Sequence, residues 1–281
     1  MRHGIFLPPF GELADPRRAA ALAADAEQAG WDGLFVWDHM LAQPGMAVAD
    51  PWITMAAIAM STTRLRTGPM VTPLARRRPW VLARQIASLD RLSGGRLVFG
   101  VGLGDDGWRE FGAFGDETSP RVRGAMLDES LAVIQRLLSG EVVSLAGDHF
   151  AVDSAQFLPK PLQDPVPIWA AVQWPNRRPL ARAARLQGCF PIFAGSGQRP
   201  APPSAADLAA LRAALADLGA APGCDLAVRV ATHRLTAGER PAAVTAMAEA
   251  GVTWLLEAFG PGQDAAEIEA CVRSGPPAPA H

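Results

Sequence analysis

Apolar residues along this chain recur with two different periods, one after the other. Between Pro79 and Leu92 they return every three or four positions, which is the period of an amphipathic helix. A proline opens this segment and Ser93-Gly94-Gly95 follows it, as is typical of the first turn and of the end of a helix. The next residues, 97–102, form a continuous apolar run, which predicts a strand buried on both faces.

The same alternation of strand and helix recurs eight times along the chain. The predicted strands are 4–8, 33–37, 65–72, 97–102, 168–172, 189–193, 226–232 and 252–256. The predicted helices are 16–29, 51–61, 79–92, 121–138, 175–187, 205–218, 241–250 and 264–273. Eight consecutive units predict a single α/β domain folded as a closed (β/α)8 TIM barrel rather than an open sheet, because closure leaves no strand edge exposed.

Two insertions interrupt the alternation. Residues 105–120 follow the fourth strand and carry Trp108, Phe111 and Phe114. Residues 141–163, between the fourth helix and the fifth strand, alternate apolar and polar positions around Gly147-Asp148, which predicts a β-hairpin. Residues 199–204 form a proline-rich connector, and the predicted domain covers 1–274, followed by a proline-rich tail at 275–281 that we expect to be disordered.

Composition narrows the class of protein. The formal net charge of the 281 residues is −2, which provides no basic surface for nucleic acid or for an anionic membrane. The three cysteines are widely spaced and predict neither a disulfide framework nor a metal cluster. The apolar run near the N-terminus stops at Pro8-Pro9, too early for a secretory signal, and no apolar run reaches the ~20 residues of a membrane span. We therefore expect a soluble cytoplasmic protein without a metal.

In such a barrel the chemistry lies at the carboxyl ends of the strands. His39, beside Asp38, follows the second strand and is suited to proton transfer near neutral pH. Asp105 and Asp106 follow the fourth strand and offer a carboxylic acid. The alternatives are a buried histidine that only hydrogen-bonds the backbone and two solvated loop aspartates, and the residues alone leave these interpretations open.

The start of the fifth helix is a candidate anion site. Trp174, Asn176, Arg177 and Arg178 lie there, where free backbone N–H groups and two guanidinium groups would attract a phosphate. The alternative is a solvated first turn. We interpret 76–78, three consecutive arginines, as a solvated basic patch, and the alternative is that they steer an anionic ligand.

Two further features suit a planar ligand. The glycines of 100–104 would let a flat ring approach the fourth strand, and the alternative is a tight turn before the insertion. Trp108 and Phe111 in the first insertion would form walls of a substrate pocket. From chemistry alone the prediction is a barrel enzyme with a planar, phosphate-bearing ligand.

Several segments between Met1 and Phe193 resemble the bacterial-luciferase-like superfamily of flavin- and F420-dependent oxidoreductases. They are GIFLPPFG, AGWDGLFVWDHM, DPWITMAAIAMSTTRLRTGPMVTPL, RRPWVLARQIASLDRLSGGRLVFGVGLG and FLPKPLQDPVPIWAA. The resemblance implies a cofactor ring against a bulge at Met70 and Val71, whose peptide bond would be cis. It also implies ring contacts from Asp38, Leu103 and Gly104.

The resemblance further implies that His39 is catalytic and that the cofactor phosphate binds at 174–178. Asp105 takes the position of a catalytic glutamate of some relatives and is one methylene shorter. We therefore expect F420-dependent hydride transfer to or from a small organic substrate. The alternatives are an FMN-dependent monooxygenase supplied by a separate reductase and a non-catalytic flavin-binding barrel.

Two more expectations follow from the resemblance. The chain is expected to form a homodimer. Only residues 236–240 separate the seventh strand from its helix, where several relatives carry a long lid, so either the mouth is open or the 108–114 loop covers it.

Overall fold

The computed structural model of this chain describes residues 1–193 and 203–278. The strands are β1 (Arg2–Leu7), β2 (Gly33–Val36), β3 (Arg66–Pro69), β4 (Thr72–Pro73), β5 (Phe99–Gly102), β6 (Val142–Ala146), β7 (Ala151–Gln156), β8 (Ile168–Gln173), β9 (Gly188–Ile192), β10 (Asp225–Val230) and β11 (Trp254–Ala258). The α-helices are α1 (Pro16–Gln28), α2 (Pro51–Ser61), α3 (Pro79–Leu92), α4 (Pro120–Leu138), α5 (Arg177–Ala183), α6 (Ala205–Asp217), α7 (Glu239–Glu249) and α8 (Ala265–Arg273). Most of the predicted connector at 199–204 and the last three residues of the predicted tail lie outside the described residues.

Nine strands form one parallel sheet in the order β3-β2-β1-β11-β10-β9-β8-β5-β4. The two ends of this order, β3 and β4, are consecutive halves of the predicted third strand, so the sheet closes on itself. A parallel bridge between Thr67 and Leu97 joins the same two sides of the barrel. The predicted (β/α)8 TIM barrel is confirmed, and β6 and β7 pair antiparallel as the predicted hairpin outside it.

The third barrel strand is interrupted at its carboxyl end. A single strand was expected over 65–72, but β3 ends at Pro69 and β4 begins at Thr72. The Met70–Val71 peptide bond between them is cis, as the resemblance implies. Gly102 on β5 faces this bulge, and a Cβ at Gly102 would lie 2.4 Å from Cγ2 of Val71. Packing against the bulge therefore explains why this strand carries glycine.

The core has two layers. Apolar side chains on the outer faces of the strands pack under the helices. Inside the barrel, Phe35, Trp169 and Trp254 pack against one another with ring centroids 5.5 to 5.6 Å apart. Trp169 and Trp254 lie at or next to the amino ends of their strands, so the three rings form a plug that closes the barrel below. Phe6, Trp37 and Phe190 lie above the plug and face the carboxyl ends.

Most helices begin and end within two residues of the predicted bounds, and α2 and α3 match them fully. The fifth helix was predicted over 175–187 and is shorter, from Arg177 to Ala183. Asn176 is extended, with φ −65° and ψ 120°, so the helix cannot begin before Arg177. At its other end the chain must turn before β9 begins at Gly188. Among the described residues, every helix is too short or too polar to cross a lipid bilayer.

Candidate functional site

A cavity of about 760 Å³ lies at the carboxyl ends of the barrel strands. Its wall contains most of the residues that the sequence singles out for a site. These are Asp38, His39, Met70, Val71, Leu103, Gly104, Asp105, Asn176, Arg177 and Arg178. The structure thus brings together the ends of four barrel strands, as expected for the functional face of this fold.

His39 is held by a carboxylate that the sequence analysis did not identify. Its Nδ1 lies 2.7 Å from Oε2 of Glu110, which is 2% exposed. An ionised carboxylate only accepts hydrogen bonds, so Nδ1 donates, and Nε2 of the neutral ring is then the acceptor. Oε1 of Glu110 accepts the backbone N–H of Met40 and of Leu41. His39 is therefore oriented with Nε2 as the nitrogen that can exchange a proton.

The surroundings of Glu110 favour its ionised form. Burial by itself raises the pKa of this carboxyl. This effect is outweighed by the hydrogen bond to His39, the electrostatic attraction to His39 and Arg76, and the Met40 N–H, all of which lower the pKa. The net result is a pKa below the ordinary value of 4.5. Glu110 is therefore an anion at neutral pH, and it stabilises a proton on Nδ1 of His39.

A second buried carboxylate, Asp38, lies beside this pair. Arg76 bridges the two, with Nη1 2.7 Å from Oε1 of Glu110 and Nη2 3.0 Å from Oδ1 of Asp38. Arg77 and the hydroxyl of Thr72 also donate to Asp38. Both oxygens of Asp38 are thus engaged by protein donors, and its contact with a cofactor ring stays a prediction.

The interpretation of 76–78 as a solvated basic patch is wrong for Arg76, whose side chain is only 4% exposed. The physical reason is that Asp38 and Glu110 are both buried, and buried carboxylates need cationic partners. Arg78, which has neither carboxylate as a partner, is exposed.

The two aspartates after β5 stabilise the loop that places Glu110 next to His39. Asp105 is exposed on the cavity wall, and its carboxylate accepts the N–H of Gly107. Oδ1 of Asp106 accepts the N–H of Phe111 at 2.7 Å and that of Gly112. These bonds fold the loop back toward the barrel. Among the described contacts it is Glu110, and not Asp105, that hydrogen-bonds His39.

The aromatic residues of this loop have different surroundings. The ring of Trp108 lies 4.9 Å from that of His39 and 5.9 Å from that of Phe10, so it covers the histidine. Phe111 was expected to line a substrate pocket, but it is fully buried, with the guanidinium of Arg123 4.3 Å from its ring centroid. Its apolar ring packs beneath the loop because the Asp106 turn directs it inward, so it supports the cavity from behind.

A cationic rim lies on the other side of the mouth, where α5 begins. Asn176, Arg177 and Arg178 are exposed there and line the cavity. Arg182, one turn further along α5, also lines it and forms an ion pair with Asp128 at 2.6 Å. Trp174 was expected to contact the cofactor, but it packs half-buried against the barrel core and does not line the cavity.

We expect the substitution Glu110→Gln to lower the free energy of unfolding by about 1–3 kcal/mol at neutral pH, because it replaces a buried acceptor of several hydrogen bonds. The pKa of Glu110 is lowered in the folded protein, so its stabilising effect is present above the unfolded value and is lost as the pH falls through the folded value. The difference between the two proteins should therefore shrink below about pH 4. Urea unfolding at pH 7 and pH 3.5 measures it.

The exposed Glu141 provides a control for this experiment, since Glu141→Gln should change stability little at either pH. An equal loss of stability for Glu110→Gln at both pH values would show that the ionised carboxylate is not what stabilises the fold.

Comparison with known proteins identifies relatives of this chain. The model of the luciferase-like monooxygenase family matches residues 1–280. An F420-dependent glucose-6-phosphate dehydrogenase of Nakamurella multipartita is 34% identical over 185 residues, which cover 60% of this chain and 50% of the relative. An F420-dependent hydroxymycolic acid dehydrogenase of Mycobacterium tuberculosis is 34% identical over 170 residues, which cover 58% of this chain and 46% of the relative. The chain thus spans about half the length of the curated relatives it matches.

Solved structures share the fold over almost the whole chain. An F420-dependent secondary alcohol dehydrogenase in complex with an F420–acetone adduct superposes with a TM-score of 0.75 at 18% identity, covering 91% of this chain and 92% of that one. The monooxygenase RslO1 from Streptomyces bottropensis superposes with a TM-score of 0.77 at 21% identity, covering 97% of each chain. At these identities the two structures establish the barrel and its topology.

Proposed function

Because this chain belongs to the luciferase-like monooxygenase family, we propose that it is an F420-dependent oxidoreductase that transfers a hydride to or from a small organic substrate. The observation that carries the proposal is the His39–Glu110 pair on the wall of the barrel cavity. Two curated relatives at 34% identity, both F420-dependent dehydrogenases by name, support it.

The residues around the cavity fit such a cofactor. A volume of about 760 Å³ lies within the range of cofactor sites. Met70, Val71 and Leu103 provide apolar walls for a flat ring, and the arginines of the cationic rim suit phosphate groups. The indole N–H of Trp37, on the same wall, is buried and finds no acceptor among the described residues, so a bound ligand can satisfy it. When bound, F420 accepts or donates the hydride.

The chain's own residues provide proton transfer and positioning. In an oxidation, Nε2 of His39 takes the hydroxyl proton of the substrate as the hydride leaves the adjacent carbon, and in a reduction it returns that proton. Glu110 holds the ring in the required tautomer and stabilises the imidazolium that forms, while Arg76 neutralises the carboxylate in the resting state. Trp108 packs against the ring of His39 and shields part of it from water. Asp105, exposed on the same wall, assists as a second proton carrier.

The experiment that tests the proposal is a titration of the purified protein with F420 and with FMN, oxidised and reduced, followed by fluorescence. We expect F420 to bind at about micromolar Kd or tighter and FMN to bind much more weakly. The double substitution of Arg177 and Arg178 to glutamine should weaken F420 binding about tenfold, because two charge-assisted contacts are lost. The exposed Arg136, near the end of α4, provides the matched control Arg136→Gln.

The other outcomes distinguish the alternatives. Binding of FMN alone would replace the proposal with an FMN-dependent monooxygenase supplied by a separate reductase. Binding of F420 without turnover of any alcohol or carbonyl substrate would indicate a non-catalytic flavin-binding barrel. Failure of both cofactors to bind would end the redox proposal.

We further propose that the protein is a homodimer that buries an apolar surface on two neighbouring helices. Ile53 and Met60, two turns apart on α2, are 62% and 70% exposed, and Val81 on α3 is 52% exposed. Sedimentation velocity should show twice the chain mass, and the substitutions Ile53→Asp and Met60→Asp together should halve it. The equally exposed Val142 on the hairpin provides the control Val142→Asp. A wild-type monomer would overturn the proposal.

A cytoplasmic location is part of the same proposal. Cys189, Cys224 and Cys271 are all free thiols, which suits a reducing compartment. Cell fractionation measures the location, and recovery of the protein outside the cytoplasm would contradict this part.

A further inference from the structure

Asp105 is a carboxylate on the cavity wall whose negative charge the protein does not neutralise. It lies three residues after β5, is exposed, and forms no ion pair with any residue that the structure describes. Its Oδ2 accepts the backbone N–H of Gly107 at 3.1 Å. That hydrogen bond orients the side chain but does not compensate its charge, so the carboxylate can still attract a cation that enters the cavity.

The two other carboxylates on this wall, Asp38 and Glu110, have cationic partners within the protein. Nη2 of Arg76 lies 3.0 Å from Oδ1 of Asp38, and its Nη1 lies 2.7 Å from Oε1 of Glu110. Nη2 of Arg77 also lies 3.0 Å from Oδ1 of Asp38. Two guanidinium groups therefore balance two buried carboxylates, and neither carboxylate is left to recognise a substrate.

The cationic side chains of the wall have partners of a different kind. Arg177 and Arg178 belong to the cationic rim, which suits the phosphate groups of the cofactor. Arg182 is paired with Asp128, and Arg229 has an interaction of its own. Once phosphate groups occupy the rim, the charge that stays unbalanced around the cavity is a negative one.

The deeper part of the wall is aromatic. The ring of Phe6 lies 5.2 Å from that of Trp37 and 5.6 Å from that of Phe190, and all three residues line the cavity. The ring of Trp37 lies 5.6 Å from that of His39. Aromatic faces attract cations and bury apolar groups. A substrate with a positive charge and an apolar body therefore matches both the rings and the carboxylate of Asp105.

We propose that Asp105 selects substrates that carry a protonated amine, and that these substrates are amino alcohols or amino ketones with an apolar or aromatic body. This inference rests on the proposed function and names its substrate class. In the oxidation the carbinol C–H breaks and its hydride reduces F420, the hydroxyl proton passes to Nε2 of His39, and the alcohol becomes a carbonyl. The ammonium group takes no part in this step. Asp105 stays ionised while it binds the ammonium, so for these substrates His39 alone exchanges the proton.

The test compares three probes that share one body and differ in charge. At neutral pH 4-phenylbutylamine is a cation, 4-phenylbutanamide is neutral and 4-phenylbutanoate is an anion. Their binding to the protein loaded with F420 is measured by calorimetry. We expect the amine to bind about fivefold tighter than the amide, at the upper end of the range for exposed ion pairs, and the anion to bind most weakly. Added salt should reduce the preference, because it screens the charge of Asp105.

Variants of Asp105 assign the preference to its charge. Asp105→Asn removes the charge but keeps an oxygen that can accept the N–H of Gly107, so the loop is retained. It should reduce the preference for the amine to less than twofold, whereas Asp105→Glu should retain it. Asp116, exposed in the same insertion but not on the cavity wall, provides the matched control Asp116→Asn, which should leave the preference intact.

Three results would overturn the proposal: equal binding of amine and amide by the wild-type protein, a preference that persists undiminished in Asp105→Asn, or tightest binding of the anion. An equal loss in Asp116→Asn would also overturn it, since the preference would then follow the charge of the whole loop. Titration with F420 on the same preparations separates the two proposals. Failure to bind F420 removes the proposed function, whereas F420 binding without a preference for the amine removes only this inference.

Discussion

Replacing His39 by alanine is expected to lower kcat with F420 by about 10²- to 10⁴-fold, the usual contribution of a positioned general acid or base. The reason is the loss of Nε2, the nitrogen that Glu110 leaves able to exchange the substrate proton. The Kd for F420 should change little, because the cationic rim and the Met70–Val71 wall remain. Steady-state kinetics and the F420 titration together measure both quantities.

Two comparisons make this result specific. His149 is exposed on the hairpin, so His149→Ala should leave kcat and Kd unchanged. Asp105→Asn should lower kcat less than tenfold, because Asp105 is exposed and hydrogen-bonds its own loop rather than His39. If Asp105→Asn had the larger effect, the main proton carrier would be Asp105.

Replacing Gly68 by alanine is expected to destabilise the barrel by about 4 kcal/mol or more, or to prevent folding. A Cβ at Gly68 would lie 1.8 Å from the carbonyl oxygen of Val98 and 2.9 Å from its carbonyl carbon. Both are backbone atoms, and the adjacent N–H of Val98 already donates to Thr67 at 2.9 Å, so neither strand can move without loss of this contact. Gly68 and Val98 lie where the two sides of the barrel meet, next to the Thr67–Leu97 bridge. Urea unfolding measures the effect.

Gly223 provides a control with the opposite surroundings, because a Cβ there would meet no atom within 4 Å. Gly223→Ala should therefore change the free energy of unfolding by no more than about 0.5 kcal/mol. A Gly68→Ala protein that unfolds at the wild-type urea concentration would show that the two strands can separate at no cost.

The fold could be predicted from local patterns because most helices carry their own boundary signals. The helix over Pro51–Ser61 has proline at its first position, and Asp50 caps it by accepting the N–H of Ile53. The fifth helix was predicted too long because Asn176 adopts an extended backbone despite flanking residues with a helical pattern. The break in the third strand followed only from the resemblance, since neither Met70 nor Val71 departs from a strand pattern.

The candidate site was predicted less completely, because its central contact is not local. Glu110 meets His39 across 71 positions of the chain, and no spacing between them marks the pair. Asp106 and Phe111 are the sequence features that could have predicted the position of Glu110. A turn-forming acid followed by an aromatic ring that must be buried indicates a loop that folds back onto the barrel. Arg229, on the cavity wall, offers a plainer signal, a single arginine within the apolar run of β10.

The plug formed by Phe35, Trp169 and Trp254 has a consequence for the proposed catalytic cycle. In the part of the chain that the structure describes, it fills the amino end of the barrel, so under the proposed function cofactor and substrate both enter at the carboxyl ends of the strands. The partner that lies deeper has to arrive first and leave last, which imposes a compulsory order on binding and release. An excess of the ligand that binds second would then delay release of the ligand that binds first and slow turnover. Inhibition by a high substrate concentration is the kinetic result expected of such an ordered mechanism.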